Sequence, residues 1–198
     1  MSVIVERRRT GWMGERADVG LARADEAAGA EEATLAFDEM FTRYHGRIYG
    51  YLLGMVGDAE QAQDLTQDTF LKAYKALPRT ADLVLPAWLY RIATNTALDA
   101  LRHRRRLTWL PFTPDDEERW AAPGADLPTQ CAAREAVRAA LARLTPPQRA
   151  CLLLRARDGL SIAETARALG LAPANVKVTL SRAKERFRAA YDVDGRVG

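Results

Sequence analysis

The side chains of this chain that are best suited to chemistry are bases, and they fall into two groups. One group lies within residues 102–106 and the other within residues 177–188. Guanidinium and ammonium groups at this density bind phosphates rather than break covalent bonds. The sequence also shows no Gly-rich phosphate loop, no HExxH motif and no nucleophile elbow. It therefore predicts a protein that binds a polyanion and is not an enzyme.

Residues that commonly hold metals are scattered along the chain. Cys131 and Cys151 are far apart without CxxC spacing, and His45 and His103 are isolated from each other and from the cysteines. Zinc sites and disulfide frameworks need closer and more regular spacing. We therefore expect no metal, no cofactor and no disulfide.

The charge of the chain is distributed unevenly, although its net value is only +3. Residues 134–191 carry 12 basic and 4 acidic side chains, whereas residues 108–133 carry one base, five acids and four prolines. Uneven charge indicates partners better than the total does. The C-terminal block is suited to a polyanion, and the acidic stretch before it has the composition of a linker.

Helical periodicity positions both basic groups. Apolar residues recur at helical spacing from Phe37 onward, and no alternating strand pattern is present. The pattern predicts an all-α fold of two small helical domains joined by a Pro-rich acidic linker. We expect these segments: a disordered N-terminal extension at 1–35, a first domain at 36–107, the linker at 108–133, a second domain at 134–192 and a tail at 193–198.

Capping signals mark where the helices begin and end. Asp58, Thr145 and Ser161 each precede a helical pattern, with Gln or Glu three residues later as in a capping box. Pro86 and Pro173 suit the first turn of their helices, and the C-terminal domain is predicted to open with a helix over 134–144. Gly170 ends a helix where left-handed geometry favours glycine. In the helix opened by Asp58, the pattern buries Ala62, Leu65, Thr69, Ala73 and Leu77.

The stretch "SIAETARALGLAPANVKVTLSRAKERFR" has the spacing of a helix-turn-helix. Its apolar stripe predicts a shared core of Ile162, Ala166, Leu169, Val176, Leu180, Ala183 and Phe187. The opposite face of the second helix carries Lys177, Ser181, Arg182, Lys184 and Arg188. One buried stripe and one basic stripe suit the major groove. The alternative is a three-helix packing unit whose basic face is only solvated.

The stretch "WLYRIATNTALDALRHRRR" predicts an amphipathic helix with a basic end. Arg91, Asn95 and Arg102 share one face, opposite a stripe of small apolar residues. Read alone, this helix is equally suited to simple solvent exposure, and its apolar face is too small for firm insertion into a membrane surface. No apolar run approaches the roughly 20 residues that span a bilayer. The start of the chain has no long apolar segment after its bases, so we expect a cytoplasmic protein without direct membrane insertion.

At this point the residues resemble a known family. "DAEQAQDLTQDTFLKAYKAL" and "PAWLYRIATNTALDALRHRRR" are similar to the first conserved domain of extracytoplasmic-function (ECF) sigma factors in the sigma-70 family. "LTPPQRACLLLRARDGLSIAETARALGLAPANVKVTLSRAKERFR" resembles the family's second domain. The resemblance implies a transcription initiation subunit that binds core RNA polymerase, through its largest-subunit coiled coil and its flap, and promoter DNA. It also implies control by an anti-sigma factor.

The resemblance also implies roles for particular residues. The polymerase-docking segment carries Asp64, Gln67 and Asp68. The segment that opens the −10 element carries Trp88, Arg91, Asn95, Arg102, Arg104, Arg105 and Arg106, with Asn95 near the position that helps hold an extruded base. The surface that reads the −35 element carries Lys177, Val178, Thr179, Ser181, Arg182 and Lys184.

Two positions depart from the family pattern. The loop "RTADLVLP" has Leu83, Val84 and Leu85 where an aromatic residue and a glycine are usual, and Val178-Thr179 replaces a basic residue followed by Ser. The first departure bears on the base preference of the −10 pocket, and the second bears on the −35 sequence that the helix reads. A different function, a stand-alone helix-turn-helix regulator that binds operator DNA, accounts for the C-terminal domain but leaves residues 58–106 without a role.

Overall fold

The computed structural model describes residue 35 and residues 37–76, 85–107 and 128–194, without the side chains of 105–107, 128–132 and 193–194. These residues form seven helices and no strand, which confirms the all-α prediction. The helices are α1 (37–56), α2 (Ala59–Ala76), α3 (Leu85–Leu107), α4 (Pro128–Ala142), α5 (Pro146–Ala156), α6 (Ile162–Leu169) and α7 (Pro173–Asp194). Residues 1–34 of the predicted disordered extension 1–35, residues 78–84 of the predicted loop 78–86 and residues 108–127 of the predicted linker lie outside the described residues, while residues 35, 85 and 86 are helical.

The larger compact unit of the chain comprises Met40–Gly198. Within the larger unit, α2 packs against α3 in the N-terminal half, and α4, α5 and α6 all have helix partners in the C-terminal half. α3 also packs directly against α6. The two predicted helical domains are therefore in contact with each other.

The N-terminal half is built around large buried side chains. Ile48, Tyr51 and Met55 of α1 and Tyr90 of α3 are almost completely buried. The Tyr51 and Tyr90 rings meet edge to face, with their centroids 5.4 Å apart, a geometry that aromatic quadrupoles favour. In α2 the predicted Ala62, Leu65, Thr69 and Ala73 are buried, and so are Thr66 and Phe70, while Leu77 lies outside the described residues.

The C-terminal half has a core of smaller side chains. Cys151 of α5, Ala166 of α6 and Val176 of α7 form the buried cluster. Ile162, Leu169 and Leu180 pack around them, as the helix-turn-helix pattern predicted. Burial raises the pKa of the Cys151 thiol, whose Sγ lies 3.6 Å from the carbonyl of Val176 as a weak donor. In this cluster, α6 and α7 of the helix-turn-helix meet through small apolar side chains.

The predicted caps are present at all three helix starts. The Asp58 carboxylate accepts a bond from the backbone N–H of Gln61 at 2.7 Å, and Ser161 and Glu164 form a complete reciprocal box. Thr145 and Gln148 also form a box, with 3.2 Å from the Thr145 N–H to the Gln148 side chain, but the contact from the Gln148 N–H to the Thr145 hydroxyl falls short of full hydrogen-bond geometry. Gly170 ends α6 in the left-handed region with φ 64°, as predicted.

Helix α4 differs from the prediction of a helix over 134–144. It begins six residues earlier, at Pro128, and ends at Ala142. Proline is tolerated at the first helical position because the N–H it lacks has no intrahelical partner there. The four prolines and five acids of residues 108–133 made this end of the segment resemble linker.

Candidate nucleic-acid interface

Helix α3 presents one polar face to solvent along its whole described length. Arg91, Asn95 and Arg102 are exposed on it, Trp88 is half-buried near its beginning, and Arg104 is exposed on another side of the helix. The side chains of Arg105 and Arg106 lie outside the description, although their backbone continues the helix. All seven residues predicted to contact the −10 element lie on α3. The side chains of five of them are described, and of these five only Trp88 is partly buried.

One base near the end of α3, Arg102, forms an ion pair within the helix. The Arg102 guanidinium lies 3.0 Å from the Asp99 carboxylate one turn earlier, and both side chains are 66% exposed. An exposed i,i+3 pair of this kind contributes little to stability. A phosphate can therefore compete with Asp99 for Arg102 at small cost.

The inner side of α3 is held by hydroxyl groups. The Thr94 hydroxyl donates to the Tyr90 carbonyl at 2.7 Å, and its oxygen lies 2.8 Å from the Tyr51 hydroxyl. Because the single Thr94 proton is already used, Tyr51 must be the donor of the second bond. Burial raises the Tyr51 pKa, so its proton stays in place. Lys72 of α2 donates to the Thr96 hydroxyl at 3.0 Å, which fixes a second point along α3.

Helix α7 has one buried face and one face that is exposed to solvent. Val176 and Ala183 are fully buried, whereas the side chains that point outward are accessible. Thr179 is half-buried and Val178 remains 51% exposed in the middle of the polar face. The exposed members of the predicted −35 surface are Lys177, Val178, Ser181, Arg182 and Lys184.

Lys184 of this surface also lies next to a cavity. Together with Arg188 it borders a cavity of about 810 Å³ between α1, α4, α5 and α7. The cavity walls are largely apolar, from Leu53, Val137, Leu141, Leu152, Leu153 and Phe187, with Arg134, Arg138 and Arg157 also in the lining. Lys184 therefore belongs both to the exposed surface of α7 and to the rim of this cavity.

A third surface lies on α2. Asp64, Gln67 and Asp68 are exposed and lie one turn apart on the same face. Leu71 and Tyr74, each 52% exposed, continue this face toward the end of the helix. Sequence reasoning assigned no role to these two, although large apolar residues outside the buried stripe of a helix are a signal for a contact surface.

A metal-binding cluster and a membrane-spanning helix are both absent from the described residues. They contain no group of three or more His, Cys, Asp or Glu side chains arranged to hold a metal ion. Within the same residues, each helix is either too short or too polar to cross a bilayer.

The fold and these faces define a DNA-binding protein of the helix-turn-helix class with a second polar helix, α3, packed beside the motif. Comparison with known proteins narrows the class. Models of sigma-70 region 2 and sigma-70 region 4 match residues 40–107 and 134–187, which together make up more than half of the chain.

Relatives and solved structures agree with these matches. The ECF RNA polymerase sigma factor SigM of Mycobacterium tuberculosis is 34% identical over 87% of this chain and 84% of its own length. The RNA polymerase sigma-H factor of Pseudomonas aeruginosa is 33% identical over 78% of this chain and 86% of its own. The fold is similar to the sigma factor RpoE of Bartonella quintana bound to the anti-sigma factor NepR, with a TM-score of 0.68 and 25% identity over 80% of this chain and 98% of that one. It is also similar to CnrH bound to the cytosolic domain of CnrY, with a TM-score of 0.61 and 25% identity over 86% and 99%.

The chain therefore belongs to the ECF sigma factors of the sigma-70 family.

Proposed function

We propose that this chain binds core RNA polymerase and directs it to promoters, reading the −35 element with α7 and opening the −10 element with α3. The observation that carries the proposal is the pairing of the two family matches with two exposed polar helix faces in the same order along the chain. The protein acts by binding rather than by catalysis. Since polymerase and chromosomal DNA share the bacterial cytoplasm, we place it there.

The −35 role is assigned to the outward stripe of α7. Lys177 and Arg182 supply donors for phosphates and base edges, and Ser181 supplies a hydroxyl between them. The Val178 side chain is 51% exposed. An apolar side chain in the major groove contacts thymine methyl groups, so we expect a thymine opposite Val178.

The −10 role is assigned to α3. Extruding a base costs a few kcal/mol, which a pocket must offset with polar contacts and stacking. Asn95 offers both amide groups at an exposed position, and Trp88 lies almost two turns earlier with part of its ring accessible. The bonds from Tyr51 and Lys72 hold α3 from behind, which keeps such a pocket in one geometry.

The polymerase role is assigned to the α2 face. Two carboxylates and an amide over one turn suit a basic partner helix, and Leu71 and Tyr74 add apolar area at the same face. Interfaces that bind well combine an apolar centre with a polar rim. We therefore include Leu71 and Tyr74 in the polymerase-binding surface with Asp64, Gln67 and Asp68.

Transcription in vitro with purified core polymerase tests these assignments. Wild-type protein should give promoter-specific transcripts, while Arg182→Ala and Asn95→Ala should each reduce them about tenfold on different templates. The Arg182 variant should lose its response to −35 mutations and the Asn95 variant its response to −10 mutations. Arg143→Ala, which removes an exposed charge from the turn after α4, should behave as wild type.

Binding to core polymerase is measured separately. Asp68→Arg should weaken it strongly, whereas the same charge change at the exposed Asp192 in the last turns of α7 should not. A gel shift with and without polymerase separates this function from that of a stand-alone regulator. Tight, sequence-specific binding of duplex DNA by the free chain, with no transcript when polymerase is added, would refute the proposal.

We also propose that an anti-sigma factor controls this chain. Two structures with the same fold were solved with an anti-sigma partner, one of them a cytosolic domain. Affinity purification from the native cell should recover such an inhibitor with the chain. A chain that is fully active and unaccompanied in unstimulated cells would contradict this.

A further inference from the structure

The cavity of about 810 Å³ between α1, α4, α5 and α7 has no part in the proposed function. Its described lining includes five bases and no acid, although the chain carries 26 Asp and Glu residues. The bases come from three helices and are Arg134 and Arg138 of α4, Arg157 of α5, and Lys184 and Arg188 of α7. Positive charge on three helices thus surrounds one space, which raises the local concentration of anions.

Apolar side chains form the wall between these bases. Leu141, Leu152 and Leu153 line the cavity from α4 and α5 and are otherwise buried. Val137 of α4 is 39% exposed, and Phe187 of α7 is half-buried. Covering such a wall with hydrocarbon removes apolar surface from water, which is favourable. The cavity therefore suits a ligand that joins an apolar body to an anionic group.

The helices around the cavity are tied to one another. Arg149 of α5 is only 7% exposed and donates to the carbonyl of Met55 at the end of α1. It also donates to the carbonyl of Leu141 in α4 at 2.9 Å. Gly50 and Gly54 of α1 lie in the lining, and a Cβ built on Gly54 would lie only 2.9 Å from a side chain of α5. A site whose walls are fixed in this way loses little conformational freedom when a ligand binds.

The volume of the cavity suits a small molecule better than a partner helix. Small-molecule sites typically measure about 300–1,000 Å³ and are mostly apolar, with a few polar groups that orient the ligand. An α-helix about 10–12 Å wide fills about 400–600 Å³ per turn. The cavity would therefore hold at most about two turns, and so short a helix is not stable in water before it binds.

Two of the five bases are best placed to hold the anionic group. Arg157 and Arg138 already have acidic neighbours, at 2.9 and 3.8 Å. Lys184 and Arg188 are both exposed and lie four residues apart on α7, so they share one face of that helix. A carboxylate between them gains charge-assisted hydrogen bonds from both side chains.

We propose that this cavity binds a monomeric amphiphilic anion, a long-chain carboxylate whose tail lies against the apolar wall and whose head lies between Lys184 and Arg188. Lys184 also belongs to the surface assigned to the −35 element, so the bound ligand removes one phosphate contact from promoter binding. That consequence rests on the proposed function, whereas the binding site does not.

The site is tested with parinarate, a fatty carboxylate whose fluorescence rises in apolar surroundings. It is titrated into the full chain below the concentration at which it forms micelles. Its methyl ester, which has the same tail without the charge, is the comparison. We expect saturable binding with one site per chain, and binding of the ester about tenfold weaker because the charge-assisted bonds are lost. No saturable binding, or equal binding of the ester, would overturn the site.

Arg188→Glu tests the head position, with Arg186→Glu as the matched control. Arg186 is exposed on the same helix, contacts Gln148 at 3.4 Å and is not among the described lining residues. Arg188→Glu should weaken parinarate binding about tenfold and leave binding of the ester unchanged, since only the charged head is affected. Arg186→Glu should bind as wild type. Equal weakening by both variants would mean that the general charge of α7 attracts the probe, which contradicts a defined site.

Val137→Glu tests the apolar wall. Ala142→Glu adds the same charge at an exposed position of the same helix, outside the described lining, and is its control. Val137→Glu should weaken both the carboxylate and its ester, because both tails need this wall, and Ala142→Glu should weaken neither. Circular dichroism verifies the helix content of each variant. A Val137→Glu chain that keeps its helices and still binds both probes would show that the tail lies elsewhere.

Anionic lipids in a membrane carry the same chemistry, so sedimentation with phosphatidylglycerol vesicles is measured in parallel. A chain that sediments with vesicles but does not bind monomeric parinarate would refute a ligand taken from solution. The consequence for transcription is measured in the promoter assay. Parinarate should lower transcripts about threefold with the wild-type chain, through the lost phosphate contact, and not with Val137→Glu.

Equal inhibition of both chains would place the effect on the polymerase and overturn the link to Lys184. The titration contains no polymerase, so failure of the site is separable from failure of the sigma function, which wild-type transcription without parinarate reports.

Discussion

The two halves of the molecule present a DNA-facing helix in different ways. α3 rests on large buried side chains, including two edge-to-face tyrosines, and is tied from behind by Tyr51 and Lys72. α7 rests on smaller side chains, among them Cys151, Ala166 and Val176, with a cap and a left-handed glycine at the helix before it. A helix that must hold an unstacked base needs a rigid support, whereas one that lies along a duplex groove is positioned in part by the duplex itself.

The largest expected effect tests the large core of the N-terminal half. Tyr51→Ala removes a fully buried ring and its bond to Thr94, and should lower the free energy of unfolding by about 3–5 kcal/mol. Val176→Ala in the smaller core should cost about 2 kcal/mol because fewer methyl groups are lost. Urea denaturation of both variants measures the two values. Equal losses would remove the contrast between the cores.

The next effect tests the turn of the helix-turn-helix. Gly170→Ala should cost about 1–2 kcal/mol, because a Cβ is strained at φ 64° even though nothing lies within 4 Å. Gly46→Ala, inside α1 with the same open surroundings, should instead stabilise the protein by about 0.5–1 kcal/mol. Thermal melting shows the sign of each change. A neutral Gly170→Ala would mean that the turn can relax.

A smaller effect compares two caps that look alike in sequence. Ser161→Ala should cost about 1 kcal/mol, since the Ser161 hydroxyl accepts a bond from the N–H of Glu164. Thr145→Ala should cost less, because the contact from the Gln148 N–H to the Thr145 hydroxyl falls short of full hydrogen-bond geometry. Denaturation midpoints of the two variants give the order. If the Thr145 variant is the less stable one, the assignment of the caps is incorrect.

The smallest expected effect depends on pH. Bonds from Ser161 hold the pKa of the Glu164 carboxyl below its usual value. A lowered folded-state pKa adds stability that is complete above the unfolded-state pKa and is lost as the pH falls through the folded-state value. Glu164 is partly exposed at the start of α6, so solvent screening limits the gain to a few tenths of a kcal/mol. The stability difference between wild type and Glu164→Gln should be present at pH 7 and disappear as the pH falls through the folded-state pKa of Glu164, and a constant difference would contradict this origin.

Local features of this fold were predictable from the sequence, and features that span the chain were not. Asp58, Ser161 and Gly170 act within one helical turn, so their residue types are sufficient to place helix ends. Arg149 binds a carbonyl 94 positions away, and a pairing of that kind leaves no periodic pattern to read. Phe70 was missed as a core residue because α2 is buried over a wider face than a single stripe indicates.

The candidate site shows the same contrast between local features, which the sequence predicts, and features that depend on the packing of distant segments. Residue types and the family resemblance placed Asn95 and Arg182 on helices where the structure exposes them. The cavity that Lys184 borders depends on how α4 and α5 pack beside α7, and the periodicity of one helix does not contain this information. The exposure of Leu71 and Tyr74 likewise depends on what the rest of the fold leaves uncovered.

The position of Arg149 has a consequence for how the protein is made. Synthesis proceeds from the N-terminus at about 5–20 residues per second, and domains fold as they emerge. The N-terminal half can therefore fold ~5–20 s before the residues that cover Gly50, Gly54 and the Met55 carbonyl have been made, given the 94 positions between Met55 and Arg149. During that interval the nascent chain displays a face of α1 that the finished protein hides, and a partner that recognises this face would meet the protein only at the ribosome.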